Sequence, residues 1–292
     1  MKSKKKRVRE ITDYIKFVFP ILILYILFFI LPLFQTIGYS FTDYNGINPK
    51  KEFTGLTNYF DVFQDKWFYN SMAFTGKSVL LMILLANVLG FLLALALNTK
   101  IRSRNILRAI VFCPFVFNNV TVGFIWQFLL GRFMTDLYPL TGWKVFNIGW
   151  LSDNSLVLYS VVFVKLWQSI GYFMVIYLAG LQLLPQDPLE AAVIDGCTGI
   201  KMIRYITIPL MKPTAFVCIF LAITESLNMF PLIMSLTNGG PGHASENISL
   251  YIYNEAFKSH RMGYASALAV ILTIIMTIIA GLQMKLTRED AG

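Results

Sequence analysis

Long apolar runs alternate with polar, aromatic and Gly- or Pro-rich stretches along this chain. A helix of about 20 apolar residues is long enough to cross the hydrocarbon core of a bilayer. Six runs approach that length, at residues 17–37, 78–97, 110–130, 156–178, 214–236 and 264–284. The pattern predicts an all-α integral membrane protein with six transmembrane helices, which together form a membrane domain over residues 17–284.

The first apolar run follows a basic segment, residues 1–16, and could be mistaken for a signal peptide. A cleaved signal has a shorter apolar region and a cleavage site with small residues, whereas this run continues into Gly38-Tyr39-Ser40-Phe41. We therefore expect it to be retained as the first span. Residues 285–292 form a short tail after the last run.

Composition supports a membrane location and excludes several other classes. The chain is 56% hydrophobic and 14% charged, too apolar for one soluble core. Its three cysteines are odd in number and lack metal-ligand spacing, and its two histidines are far apart. Neither a disulfide framework nor a metal site is expected.

The chain has a net charge of +9, but its basic residues are distributed as membrane topology requires and are not gathered on one domain, so nucleic-acid binding is not expected. With a cytoplasmic amino terminus, the inner segments hold 16 Lys and Arg residues and the outer loops hold 8. Cytoplasmic loops carry the basic excess in membrane proteins. This division predicts that both termini lie in the cytoplasm.

One polar segment between two spans, residues 185–213, has the pattern of a compact structure. Asp187 is a suitable helix cap, Pro188 suits a first turn, and Glu190 stands where a capping-box carboxylate would stand. These residues predict a short helix, and the charge division places it in the cytoplasm.

A second short helix is expected in the same segment. Gly196 can end the first helix in a left-handed conformation, and Thr198 can cap the next. Isoleucines at helical spacing follow before Pro209, which we expect to end the helix. The segment is thus predicted to be a helix-turn-helix loop.

The same residues carry a family resemblance. Glu190-Ala191-Ala192, three residues, Gly196, nine residues and then Ile206-Thr207-Ile208-Pro209 resemble the EAA loop of permease subunits of binding-protein-dependent ABC importers. In that family the loop docks into a groove on the ATPase subunit. The resemblance, which extends from about residue 70 to the end, implies ATPase-coupling roles for Glu190, Ala191, Ala192, Asp195, Gly196, Ile206, Ile208 and Pro209.

Partners follow from the resemblance as expectations. It implies a second permease subunit in a heterodimer, two ATPase subunits, an extracytoplasmic sugar-binding protein and a location in the bacterial cytoplasmic membrane. The chain contains no G-x-x-x-x-G-K-[ST] loop, so ATP and Mg²⁺ are expected on the ATPase subunits and no cofactor on this chain. It shows no catalytic pattern and is not expected to be an enzyme.

Two charges, Lys165 and Glu225, fall inside predicted spans. A charge at the bilayer centre costs about 3 kcal/mol, so each needs a partner. They could pair with each other or face a water-filled cavity that binds a ligand. They could equally contact the second permease subunit.

Polar and aromatic residues near these charges suit sugar recognition, because polar groups fix hydroxyls and an aromatic face covers a sugar ring. The run from Glu225 to Tyr253 also resembles carbohydrate permeases of the maltose-permease branch, although Met229 stands where that branch often has an amide. Polar side chains can instead join one helix to another. The substrate-binding candidates are Trp167, Gln168, Tyr172, Glu225, Ser226 and Asn228.

Three points stay open at this level. Pro114 and Asn118-Asn119 in the third run could kink the helix or line a pathway. The solute could be a polyol phosphate or a peptide. A proton-coupled secondary transporter that uses Lys165 and Glu225 as a relay, or a non-transporting scaffold, would also fit the apolar pattern.

Overall fold

The computed structural model describes residue 16, residues 18–99 and residues 102–289 of the chain. Within this part the structure is helical, and its β pairing is one isolated bridge between Thr42 and Phe53. The predicted all-α class is therefore confirmed for the part described. The basic segment 1–16, apart from Lys16, and the last residues of the tail, 290–292, lie outside it.

The main helices of the described chain are numbered α1 to α12 in chain order. The first six are α1 Val18–Tyr39, α2 Thr57–Gln64, α3 Lys66–Leu97, α4 Arg104–Val116, α5 Asn119–Thr141 and α6 Val157–Gln182. The others are α7 Gln186–Ile194, α8 Ile200–Leu210, α9 Lys212–Leu227, α10 Phe230–Leu236, α11 Ile248–Tyr253 and α12 Met262–Glu289.

Several of these helices contain or adjoin a turn that is not α-helical. The last turn of α4, Cys113–Val116, is a 3₁₀ helix, and a separate short 3₁₀ helix covers Lys144–Asn147. Wider π turns are found at Ile26–Ile30, Phe128–Phe133, Ile203–Thr207 and Asn254–Lys258.

Four helices, α1, α3, α6 and α12, are long and apolar enough to cross a membrane. Two bent pairs, α4 with α5 and α8 with α9, bring the number to six if each pair is one span. These helices are those of a multi-pass membrane protein. The count of six spans and the cytoplasmic termini remain predictions.

Helix α3 is longer than the apolar run that predicted it. It begins at Lys66 rather than at residue 78 and contains 32 residues. At 1.5 Å per residue it measures about 48 Å, more than the roughly 30 Å of a hydrocarbon core. Its first part, before residue 78, lies outside the predicted span, because helical structure does not end where hydrophobicity ends.

The third and fifth apolar runs do not form straight helices. Helices α4 and α5 meet at 93°, where Phe117 is extended and Asn118 caps α5 by accepting a hydrogen bond from the Val120 amide at 2.8 Å. The kink that Pro114 and the two asparagines suggested is therefore present. The fifth run is divided at Asn228 and Met229, between α9 and α10.

The chain separates into two compact units. Of the described residues, those up to residue 65 and residues 252–276 form one unit, and those from 66 to 251 together with those after 276 form the other. In the first unit, the Asn58 side chain donates to the carbonyls of Ser40 and Thr42 at 2.9 Å each. Asn58, near the start of α2, thus holds the preceding loop against this helix.

Helix α6 is the centre of the second unit. It packs against α3, α4, α5, α9 and α10, and most of its apolar length is buried. The closest approach to α4 is at Gly171, where a Cβ would overlap the carbonyl oxygen of Val111 and the Cα of Phe112. Small residues permit such contacts between membrane helices.

We expect Gly171→Val to destabilise the protein by about 1–3 kcal/mol, the range for overpacked interiors. The side chain would push α4 away from α6, since the overlapping atoms belong to the backbone. The measurement is the thermal unfolding midpoint in detergent. The control is Gly76→Val in α3, where no atom lies within 4 Å of an added Cβ; equal midpoints for the two variants would contradict the prediction.

Candidate functional site

An ion pair joins two helices inside the second unit. Lys165 Nζ on α6 lies 2.6 Å from Glu225 Oε2 on α9, with side-chain exposures of 3% and 26%. Lys165 Nζ also donates to Asn119 Oδ1 at 3.4 Å. The hypothesis that the two charges pair with each other is confirmed. Asn119, which the sequence marked only as a kink or pathway residue, is a third member of this cluster.

Burial explains why the cluster forms. The Lys165 ammonium is removed from water and cannot stay charged there at low cost without a carboxylate. Asn119 begins α5 directly after the break, and its amide oxygen accepts a bond across to α6. Glu225 is less buried than Lys165, so part of its side chain remains accessible.

Gln168 lies one turn beyond Lys165 on α6 and hydrogen-bonds the backbone at the break between α4 and α5. Its Nε2 donates to the carbonyl oxygen of Phe117 at 2.9 Å, and its side-chain oxygen is buried with no hydrogen-bond partner in the described chain. The extended Phe117 leaves this carbonyl outside a helix, where lipid offers no donor. The contact fits the helix-joining interpretation of Gln168.

The aromatic candidates have different surroundings. Trp167 is 38% exposed and makes an edge contact with Trp126, with the ring centroids 5.3 Å apart. Tyr172 is half-buried and stacks on Phe115, with centroids 4.6 Å apart and planes at 2°. Part of the Trp167 ring is therefore accessible, whereas one face of Tyr172 is covered by α4.

The remaining candidates lie near the end of α9. Ser226 is buried and its hydroxyl donates to the Ala222 carbonyl at 2.6 Å within its own helix, whereas Asn228 is exposed at the break. Side-chain bonds unite Lys165, Glu225 and Asn119 and anchor Gln168 beside them. The hydrogen bonds described for Ser226 and Asn228 do not extend to that cluster.

The polar segment 185–213, hereafter the coupling segment, contains a well-formed turn. Helix α7 ends in a Schellman motif, in which the amide of Gly196 bonds the Val193 carbonyl at 3.0 Å and that of Cys197 bonds the Ala192 carbonyl at 2.8 Å. Gly196 has φ +74. Its predicted left-handed conformation is confirmed.

The caps of the two short helices differ from the predictions. Helix α7 begins after Pro185, without a side-chain cap, so Asp187 lies in the first turn and the capping box with Glu190 does not form. An acidic residue in the first turn still stabilises the helix, because it lies at the positive end of the helix dipole. Helix α8 begins after Gly199 rather than Thr198, because Gly199 adopts a positive φ that turns the chain.

Pro209 does not end the second helix. Helix α8 continues to Leu210, with a π turn at Ile203–Thr207 directly before the proline region, and the 71° bend falls at Met211. A π turn, with its wider i→i+5 hydrogen bonds, is a common cause of helix distortion. Here it lies just before Pro209, and the helix continues past the proline. The predicted stop was therefore two residues early.

Apolar side chains project from the coupling segment. Ile194 is 86% exposed and Ile200 83%, beside the two helix ends. Of the residues that the resemblance marks for coupling, Ala192 is buried and Ile206 is half-buried. The exposed ones are Glu190, Ala191, Asp195, Gly196, Ile208 and Pro209.

An apolar cavity of about 520 Å³ lies beneath the coupling segment. Ile203 and Ile208 line it from α8, Tyr177 from α6 and Leu92 from α3. Met211, at the bend between α8 and α9, also borders it. The segment is thus incompletely packed against the long helices.

Comparison with known proteins defines the class of this chain. Residues 86–288 match the family described as binding-protein-dependent transport system inner membrane component. The chain belongs to this family, which consists of membrane transport subunits rather than enzymes, as expected from the resemblance of the coupling segment.

Individual relatives cover nearly the whole chain. It is 35% identical over 291 residues to a probable starch degradation products transport system permease of Thermoanaerobacterium thermosulfurigenes, covering 99% of this chain and 98% of the relative. It is 34% identical over 268 residues to a multiple sugar-binding transport system permease of Streptococcus mutans, covering 92% of each.

A solved structure shows the same fold. It is a chain of a bacterial ABC transporter involved in alginate import, with a TM-score of 0.82 and 21% identity, and 99% of each chain is covered. At this identity the likeness concerns the fold alone.

We expect Glu225→Gln to destabilise the protein by about 3–5 kcal/mol, the usual cost of leaving a buried ion-pair partner unpaired. The double variant Lys165→Met/Glu225→Gln should recover much of this loss, because no buried charge remains. Chemical unfolding in detergent measures both. The matched control is Glu190→Gln, an exposed carboxylate on α7; a Glu225→Gln variant as stable as this control would refute a stabilising role for the pair.

Proposed function

We propose that this chain is one transmembrane subunit of an ABC importer for a sugar or oligosaccharide. A binding protein outside the cell would deliver the solute, and a second permease subunit would complete the pathway in the bacterial cytoplasmic membrane. The names of the two relatives, which refer to starch degradation products and to multiple sugars, support a saccharide. The family itself depends on a binding protein by its description.

One observation carries the mechanical part of the proposal: the coupling segment exposes large apolar side chains around an ordered turn. Exposing Ile194 and Ile200 to water is unfavourable, and burying such a side chain contributes about 1.5–3 kcal/mol. An ATPase subunit that covers them would gain this energy. ATP and Mg²⁺ would be held by two such subunits, outside this chain.

The surroundings of the six substrate candidates support dividing them into two groups. One group, Trp167, Glu225 and Asn228, retains accessible surface and could contact a sugar directly. The other group makes contacts between or within helices, so we assign its members a positioning role; it comprises Gln168, Tyr172 and Ser226. The expected sugar contacts thus lie on α6 and at the end of α9.

ATP-driven uptake tests the proposal as a whole. The chain would be co-expressed with its permease and ATPase partners, purified, and reconstituted in liposomes with the binding protein. We expect ATP-dependent uptake of labelled maltotriose that is insensitive to a protonophore. Uptake that needs no ATPase and collapses with the proton gradient would favour a secondary transporter. Uptake of sn-glycerol 3-phosphate or a peptide instead would reassign the solute, and no uptake of any solute would favour a scaffold.

Coupling is tested at Gly196. A β-branched residue at its positive φ costs about 1–3 kcal/mol of backbone strain, so Gly196→Val should distort the turn and lower both ATPase co-purification and uptake. The matched control is Gly142→Val, because Gly142 has φ +70 and, like Gly196, no atom within 4 Å of an added Cβ. It lies outside the coupling segment.

A second variant separates contact from strain. Ile194→Glu places a charge on the exposed apolar surface without altering the turn, and Leu140→Glu is its control, since the wild-type side chains are 86% and 82% exposed. Ile194→Glu should weaken ATPase binding, and Leu140→Glu should not. Normal ATPase binding and uptake in both Gly196→Val and Ile194→Glu would rule out the coupling role.

A further inference from the structure

A second cavity, of about 510 Å³, lies in the unit that contains residues 66–251. The first turns of α3, the start of α6 and the turn at Gly242 enclose it. Its volume falls within the roughly 300–1,000 Å³ that is usual for small-molecule sites. None of the residues discussed above as sugar-contact candidates lines it.

The lining combines aromatic faces with polar groups. Trp67 and Tyr159 are 46% and 57% exposed, so their rings are accessible at the cavity. Asn70 and Asn154 supply amides, and Lys77 supplies an ammonium group. No residue in the described lining is acidic. Rings that cover apolar sugar faces, with amides for hydroxyl groups, match the chemistry of a saccharide.

A buried carboxylate holds one wall in place. The Trp67 ring contacts the His243 ring, with centroids 4.4 Å apart, and His243 Nδ1 lies 2.5 Å from Glu246 Oε2. The Glu246 side chain is only 2% exposed. Asn70 Nδ2 donates to the His243 carbonyl at 3.0 Å. Two lining residues are therefore fixed by the same histidine, and a preformed wall lowers the entropy cost of binding.

The opposite wall is also ordered. Asp153 Oδ1 accepts hydrogen bonds from the hydroxyl and the amide of Ser155 at 2.6 and 2.7 Å, and these bonds lower the pKa of the Asp153 carboxyl. The Asp153 carbonyl accepts from the first amide of α6, at Val157. This turn sets the position of Asn154 between two bonded residues.

We propose that this cavity is a saccharide-receiving site on the extracytoplasmic side, where a sugar is held before it reaches the ion-pair cluster. The proposal rests on the proposed function, and its side of the membrane rests on the charge division. Tyr159 and Lys165 are on the same helix, about 9 Å apart along its axis at 1.5 Å per residue. A segment of the binding protein would be a poorer occupant, because protein interfaces of normal size are broad rather than confined to one cavity.

Photolabelling of the reconstituted importer tests the site directly. A maltotriose carrying a diazirine group would be bound without ATP, photolysed, and mapped by mass spectrometry. We expect labelled peptides around Trp67 and Tyr159, and about tenfold weaker maltotriose binding in Trp67→Ala and Tyr159→Ala, as for the loss of one good aromatic contact. The control is Tyr69→Ala on the same helix as Trp67, 54% exposed and not part of the lining.

Lys77→Met and Asn154→Ala provide two further variants that should fold normally, because both side chains are exposed. Each should also weaken maltotriose binding, because both residues line the cavity. Labelling confined to peptides around Glu225, with unchanged affinity in all four cavity variants, would overturn this inference and leave the proposed function standing. Loss of binding-protein docking without any labelling of the wild-type cavity would overturn it as well. Absence of ATP-driven saccharide uptake in the wild-type assembly would remove the proposed function and this inference together.

Discussion

An ammonium group in a hydrocarbon phase needs a carboxylate close by, and the position of Lys165 in the first half of α6 therefore constrains the helices around it. Glu225 supplies this carboxylate from α9, and Asn119 supplies an amide oxygen from the start of α5. One charged side chain thus ties three helices together. Helix α6 is the most buried of the four unbroken candidate spans, and it packs against several other helices.

Helix breaks are the second consequence of placing polar groups inside a membrane protein. A break frees backbone carbonyls that lipid cannot satisfy, so other side chains must supply donors. Gln168 does so for Phe117, and Ser249 Oγ donates to the Leu227 carbonyl at 3.4 Å at the end of α9. The breaks and the buried polar residues therefore depend on each other, which explains why so many polar side chains occur within the apolar runs.

Local features of this fold could be predicted from the sequence, and contacts between distant segments could not. Hydrophobic length and the left-handed helix end at Gly196 are local properties, so the fold class and that turn were found. The caps predicted at Asp187 and Thr198 were wrong, because backbone conformation at neighbouring residues overrode side-chain preference. The two intramembrane charges were known to need partners, but the bond from Asn119 depends on the 93° angle between α4 and α5, which arises from packing.

The space under the coupling segment has a mechanical consequence. Because α8 does not fill the cavity of about 520 Å³, a force on its exposed end would meet little resistance from packed side chains there. Met211, which is 2% exposed, lies at the 71° bend, so the bend itself is held in place by packing. A displacement of the two short helices would then reach α9 through this bend, and α9 carries Glu225 of the ion pair.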